Sequence, residues 1–231
     1  TVQYTWPLAI NSNVTVTITS DLELQNVNHY FIMNGDGAVL QGNSDSNFGQ
    51  SITINVPNYP GFVHNSQIAD TVIKRFGASF GSNGTLAEGA GVICQENYGR
   101  GTSGNVIEQC FIEGNITSAN CGGIAGRGLV SSHNGVQGSI TIQNCYNVGN
   151  ISGENSGGII GPNAGQNGGT INIKNCFYTG TLSGNNSGGF IGPNLHGNAQ
   201  VNINNSYSGL NTTTGFSVGA NIAGSVNLTS V

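Results

Sequence analysis

Apolar and polar residues alternate in short stretches through the second half of the chain. Residues 140–142, 171–173 and 201–203 read Ile-Thr-Ile, Ile-Asn-Ile and Val-Asn-Ile. A period of two is typical of a half-buried strand, whereas an amphipathic helix needs a period of 3.6. A second apolar segment follows each stretch, and a third begins with a Gly-Gly pair. The pattern therefore predicts three short strands per unit, joined by corners rich in Gly, Asn and Ser.

The same unit recurs along the sequence. Cys110, Cys145 and Cys176 align in one register with Ser206 of a diverged fourth copy, at spacings of 35, 31 and 30 residues. An aromatic residue follows each of the four. Repeats of this length mark solenoids, in which each repeat buries its apolar face only against its neighbours. We therefore expect an all-β stack of triangular turns, each of about 30–35 residues.

Stacking predicts rows of equivalent side chains along the axis. The inward aliphatic row is Ile107, Ile142, Ile173 and Ile203, and the amide row at a corner is Gln109, Asn144, Asn175 and Asn205. Amides stacked at strand spacing can hydrogen-bond to one another. A structural demand for Asn would explain why the chain contains 34 of them but only two lysines.

The cysteines form a further row, Cys110, Cys145 and Cys176, with Cys94 and Cys121 elsewhere in the repeat. Five cysteines are an odd and sparse set, unlike the dense even sets of secreted disulfide scaffolds. We expect the three aligned thiols to be free and buried. A disulfide between stacked neighbours is the alternative, and a zinc site is disfavoured because paired short spacings are missing.

The repeats divide the chain into three parts of one continuous domain. Residues 1–65 are expected to form irregular turns and an N-terminal cap, 66–207 the regular turns, and 208–231 a C-terminal turn or cap. Between 66 and 105 the match is weaker: we align 72–76 with 107–111, which puts Arg75 in the cysteine row. Caps are required because an open end of such a stack is an unpaired sheet edge.

The segments NCYNVGNISGENSGGIIGPN and NCFYTGTLSGNNSGGFIGPN resemble the GLUG repeat. This resemblance implies a right-handed parallel β-helix of the pectin-lyase-like type, found in bacterial adhesin-like surface proteins. The alternating stretches near residues 17 and 51 are also similar to proteins of large DNA viruses that carry these repeats. The two likenesses imply a location outside the cell, on a cell surface or on a virion. They supply no catalytic residue.

The composition limits which classes of partner the protein can bind. Only 15 of the 231 residues are charged and the net charge is −5. With five basic residues the chain lacks the Lys/Arg stripe that nucleic-acid binding needs. No apolar run approaches the roughly 20 residues of a membrane span, and no signal peptide opens the sequence.

Eight N-x-S/T sequons, including those at Asn83 and Asn115, would be glycosylation sites on a secretory route. A homo-oligomer is an open alternative that no heptad supports.

Charged residues concentrate between 70 and 127, on roughly two consecutive turns. If the protein acts on a polysaccharide, the glutamates to test are Glu88, Glu96, Glu108 and Glu113, because a glycosidase needs two facing carboxylates. The alternative interpretation is that these residues are paired surface charges without a catalytic or binding role, and the outward strand position of Glu108 favours it. The candidates for ligand binding are Arg100, Arg127, His133 and His196. No metal site and no cofactor are predicted.

These observations favour a non-catalytic structural or adhesive module, a rigid rod that binds a protein or a glycan on a cell or virion surface. The alternative is a polysaccharide lyase or glycoside hydrolase built on the same scaffold.

Overall fold

The computed structural model describes residues 5–43, 49–65, 67–209 and 224–229. Over these residues the protein is all-β, without a helix. Accordingly, the described part holds no helix that is long and apolar enough to cross a membrane. Most of the predicted C-terminal cap, 208–231, lies outside the described residues.

Sixteen strands occur in the described part of the chain. They are β1 (Leu8–Ile10), β2 (Thr15–Ile18), β3 (Leu22–Leu24), β4 (Phe31–Met33), β5 (Val39–Gly42), β6 (Gln50–Ile54), β7 (Val63–His64), β8 (Val72–Phe80), β9 (Asn105–Ile112), β10 (Gly138–Gln143), β11 (Tyr146–Asn147), β12 (Gly169–Lys174), β13 (Phe177–Tyr178), β14 (Ala199–Asn204), β15 (Tyr207–Ser208) and β16 (Ser225–Thr229).

The strands form two sheets in which every paired strand is parallel to its neighbour. A small sheet has the order β1-β4-β7, and the other thirteen strands form one large sheet. Along its most regular part, β9, β10, β12, β14 and β16 pair in succession. Parallel neighbours need a long connection between them, and here each connection is one sequence repeat.

The pairing register places four isoleucines in one buried row. Ile142 on β10 lies opposite Ile107 on β9 and Ile173 on β12. Ile173 in turn lies opposite Ile203 on β14. All four are fully buried, so the polar residues between them face outward as the alternation predicts.

The remaining segments of each repeat are shorter than predicted. After β10 comes the two-residue strand β11, and the second and third predicted segments make only single parallel bridges. Ile116, Ile151 and Leu182 form one line of bridges, and Gly122, Gly157 and Gly188 form another. The prediction of three strands per repeat is therefore wrong in detail, although all of these segments pair with the next repeat.

The cysteine row lies in the core. Cys110, Cys145 and Cys176 are at most 1% exposed, and all five cysteines of the chain are free. The Cys110 backbone N–H points at Cys145 Sγ at 3.4 Å. In the diverged copy Ser206 replaces the cysteine, and its hydroxyl oxygen accepts a hydrogen bond from the Cys176 backbone N–H at 3.1 Å.

Arg75 does not occupy the cysteine row, so our alignment of 72–76 is wrong by one residue. Ile73 pairs with Ile107 and Phe76 with Cys110, which makes Arg75 the counterpart of the corner residue Gln109. The sequence match paired the two phenylalanines, but Phe76 is fully buried and packs edge-on against Phe62 at 5.2 Å. A ring in the core thus replaces the thiol of later repeats.

The amide row marks a left-handed corner of the backbone. Gln109, Asn144, Asn175 and Asn205 have φ values of 53°, 54°, 51° and 48°, and Arg75 has 65°. Asn tolerates this conformation better than most residues with a side chain. Asn175 Nδ2 also donates to Asn144 Oδ1 at 3.2 Å. The row therefore combines a backbone requirement with a ladder of side-chain bonds.

A second amide ladder follows the outward face of the strands. Asn202 Nδ2 donates to Asn172 Oδ1 at 2.9 Å. Asn227 Nδ2 donates to Asn202 Oδ1, also at 2.9 Å. Such ladders satisfy polar side chains without charge, which accounts for an Asn-rich chain with few charged residues.

Replacing Ile142 with Ala should destabilise the fold strongly, because this side chain lies in the middle of the buried row. We expect a loss of about 2–5 kcal/mol in the free energy of unfolding, measured by urea denaturation. The matched control is Thr141→Ala on the outward face, with an expected change of about 0.5 kcal/mol or less. Equal effects of the two substitutions would contradict the inward register.

Asn175→Ala should cost about 1–2 kcal/mol, because Ala is strained at positive φ. Asn175→Gly should cost less, since Gly adopts this conformation freely. Thermal and urea unfolding of both variants checks the order. If Gly destabilises the protein as much as Ala does, the hydrogen bond of the Asn side chain, and not the backbone conformation, determines which residue is preferred at this corner.

Candidate functional site

Of the four candidate catalytic carboxylates, Glu96 is held by an arginine. Arg127 donates to Glu96 Oε1 from Nη2 and from Nε, each at 2.9 Å. Both side chains remain about one third exposed. Arg127, which was predicted as a ligand-binding residue, is therefore engaged within the protein.

Glu108 and Glu88 are likewise paired with residues of adjacent repeats. Glu108 lies 3.9 Å from Lys74 Nζ and accepts from Gln143 Nε2 at 2.8 Å. Glu88 Oε1 accepts from Asn120 Nδ2 at 2.8 Å. Each of these carboxylates thus bonds to a different partner, and the described contacts join no two of them into an acid pair. Glu96 and Glu108 are thus in ion pairs, whereas Glu88 bonds to a neutral amide.

Glu113 has a different environment, because it lines a groove of about 340 Å³. Among the described residues it makes no ion pair. Two neighbouring repeats form the walls: Ser79, Phe80, Gly84 and Thr85 on one side, and Glu113, Gly114, Asn115 and Thr117 on the other. We call this the Glu113 groove.

The Glu113 groove arises from a difference in connection length. Five residues, 81–85, separate the end of β8 from the bridge at Leu86. In the next repeat only three residues, 113–115, separate β9 from the bridge at Ile116. The longer connection turns at residues 82–83. The Phe80 ring lies over Gly114, where an added Cβ would collide with it.

An outward column of aromatic side chains runs beside the groove; we call it the aromatic face. Its members Phe111, Tyr146, Phe177 and Tyr207 lie opposite one another in successive repeats. The Phe111 and Tyr146 rings stack with centroids 5.2 Å apart, and those of Tyr146 and Phe177 stack at 4.6 Å. Exposure increases along the column, to 37% at Phe177 and 62% at Tyr207.

The aromatic face and the Glu113 groove are contiguous. Burial raises the pKa of Tyr146, and the negative charge of Glu113 raises it further. Gly77 on β8 lies opposite Phe111, and its missing side chain leaves room for the Phe111 ring. Ser79, two residues further along β8, lines the groove. The sequence shows the aromatic residues clearly, and it also signals the longer connection: 14 residues lie between Phe76 and Gly91, against 11 between their counterparts Cys110 and Gly122.

The other predicted binding residues are scattered. Arg100 and His196 are exposed on separate connections. His133 begins a tight turn, in which its backbone bonds to Val136 in both directions at 2.9 Å. Across the described ranges no group of three or more His, Cys, Asp or Glu side chains could hold a metal ion. The structure therefore brings none of these residues to the Glu113 groove.

Comparison with known proteins gives one structural likeness. No protein-family model matches the chain, so the GLUG resemblance is not confirmed, and no curated protein matches either. The fold is similar to the crystal structure of a proposed immunoglobulin A1 protease from Bacteroides ovatus, with a TM-score of 0.57 and 23% identity over 87% of this chain. The match spans 62% of that protein. At this identity the likeness concerns the fold alone.

The buried thiols should be inert in the folded protein. Burial raises the pKa of Cys121 to about 12 and that of Cys145 well above its ordinary value, whereas the hydrogen bond with the Cys145 thiol lowers the pKa of Cys176. Because the reagent must reach the thiolate and all five cysteines are at most 1% exposed, we expect no reaction with Ellman's reagent at pH 8 until urea unfolds the protein, when all five thiols react. Val136→Cys, at a position 56% exposed, should add one fast-reacting equivalent. Fast reaction of any native thiol would contradict the buried row.

Proposed function

We propose that this chain is a non-catalytic parallel β-helix that binds a glycan through its aromatic face. The proposal of a solenoid is supported by the parallel pairing of successive repeats in constant register and by the structural likeness described above. The resemblance of the repeats to GLUG sequences supports display on a cell or virion surface. In this proposal the rod is the scaffold and the aromatic face is the contact.

The observation that carries the proposal is the exposure of Phe177 and Tyr207, 37% and 62%, at one end of the aromatic face and beside a row of amides. Sugar C–H bonds carry a partial positive charge and pack well on the negative faces of aromatic rings. Both faces of the Tyr146 ring are covered by its stacked neighbours, so the sugar packs mainly on Phe177 and Tyr207. The neighbouring Asn144 and Asn175 are exposed, and amides both donate to and accept from hydroxyl groups. Apolar rings flanked by uncharged polar groups suit a carbohydrate better than a charged partner.

The length of the aromatic face fits an oligosaccharide. Its four residues occupy successive strands, which lie about 4.8 Å apart. Three such steps give a row of roughly 14 Å, comparable to a few sugar residues in an extended chain. The low charge density of the protein and its net charge of −5 favour a neutral glycan over an acidic one, because like charges repel at an interface.

The enzyme alternative has one supporting observation, the Glu113 carboxylate in a groove. Hydrolysis of a glycosidic bond requires a second carboxylate across the cleft, and Glu113 is the one acid that lines this groove. Glu88, Glu96 and Glu108 are engaged by other partners. Binding without turnover is therefore the better-supported function.

We predict that the double variant Phe177→Ala/Tyr207→Ala binds neutral oligosaccharides about tenfold more weakly or worse than the parent protein. Cellohexaose, mannohexaose and N-acetylchitohexaose, titrated in a calorimeter, are the probes, with polygalacturonate as the acidic comparison. Both side chains are exposed, so the melting temperature should change little.

Val136→Ala is the control, because it truncates an exposed apolar side chain in a different connection. Equal binding by the parent and the double variant would contradict a role for the aromatic face. The same mixtures are assayed for new reducing ends: their release by the parent, and its loss in Glu113→Gln, would overturn the non-catalytic proposal in favour of the enzyme.

A further inference from the structure

The Glu113 groove combines an apolar wall with several polar groups that can still form hydrogen bonds. The half-buried Phe80 ring supplies the wall. On the same side, Thr85 Oγ1 accepts from the Asn58 backbone N–H at 3.1 Å, which leaves the hydroxyl hydrogen able to donate. The lining is mostly polar, with one aromatic ring, which suits a ligand that has both C–H and hydroxyl groups.

The opposite wall supplies both a donor and an acceptor. Asn115 Oδ1 accepts from the Asn150 backbone N–H at 3.0 Å, and this bond fixes the amide orientation so that Nδ2 can donate outward. The exposed Glu113 carboxylate offers two oxygens that accept hydrogen bonds. Thr117 adds an exposed hydroxyl.

Charge and size limit what can bind there. No Lys, Arg or His lines the groove, so an anionic group would meet only the carboxylate of Glu113. A volume of about 340 Å³ is near the lower end of the 300–1,000 Å³ that is typical of small-molecule pockets. These limits suit a single uncharged, hydroxyl-rich ring.

We propose that the Glu113 groove is a subsite for one neutral sugar residue, which packs against Phe80 and donates hydroxyl hydrogen bonds to Glu113. The subsite rests on the proposed glycan-binding function, because it adjoins the aromatic face and would hold a sugar of the same chain. In this proposal the subsite, which lies where the repeat is irregular, determines which sugar the protein prefers. The aromatic face contributes affinity and discriminates less between sugars.

The test compares Glu113→Gln with Glu154→Gln, which removes the same charge at a corner outside the groove, where Glu154 accepts from Asn185 Nδ2 at 3.3 Å. Calorimetry uses cellohexaose, mannohexaose and N-acetylchitohexaose. Protein from a bacterial host without N-glycosylation keeps the sequons at Asn83 and Asn115 unmodified. We expect Glu113→Gln to weaken the tightest of these ligands about tenfold or more, since hydrogen bonds to charged groups are the stronger ones. Thr117→Val should weaken it by less, and Glu154→Gln should leave it unchanged.

The outcomes separate this inference from the proposed function. Unchanged affinity in Glu113→Gln, with weaker binding by Phe177→Ala/Tyr207→Ala, overturns the subsite and leaves the glycan-binding function standing. Weaker binding by Glu113→Gln alone supports the subsite and contradicts the aromatic face. Failure of the parent protein to bind any of the three neutral oligosaccharides overturns both, and tighter binding of polygalacturonate overturns the subsite.

Discussion

The parallel hydrogen bonding of each repeat to the next is the interaction on which the rest of the structure depends. Because β10 and β12 pair from Gly138–Gly169 to Gln143–Lys174 without a slip, every side chain lies over its counterpart one repeat away. A shift by one residue would turn the whole aliphatic row toward solvent. The rows of Ile, Cys, Asn and aromatic residues are all consequences of this one register.

The register also explains why an uncharged surface suits this protein. Like charges stacked at strand spacing would repel along the whole axis, whereas an amide both donates and accepts and can therefore stack on a copy of itself. Asn has the further advantage that it tolerates the left-handed corner at Asn144 and Asn175. The corner at Gly157 has no room for a side chain, because a Cβ there would collide with the Ile160 carbonyl three residues further along the same repeat.

The sequence predicts the regular part of the fold well because the repeats are nearly identical there. The inward position of Ile142 follows from alternation and copy-to-copy alignment alone. The prediction fails where a copy has diverged: Phe76 aligns with Phe111 by residue type, yet its ring fills the core. Only the backbone pairing reveals that Gly77 is the true counterpart of Phe111, since the sequence holds no information on which side chain best fills that space.

The candidate site shows the same limit. The sequence groups Glu88, Glu96, Glu108 and Glu113 as acids near the start of the regular repeats and distinguishes only Glu108, by its outward strand position. Three-dimensional contacts separate them: the first three have partners from a neighbouring repeat, whereas Glu113 faces the space beside Phe80. That space exists because one connection has five residues and its neighbour three. In a stack of equivalent turns every regular position is constrained by its copies above and below. A concave site therefore forms more readily where the copies differ, as at the irregular connection 81–85 beside Glu113.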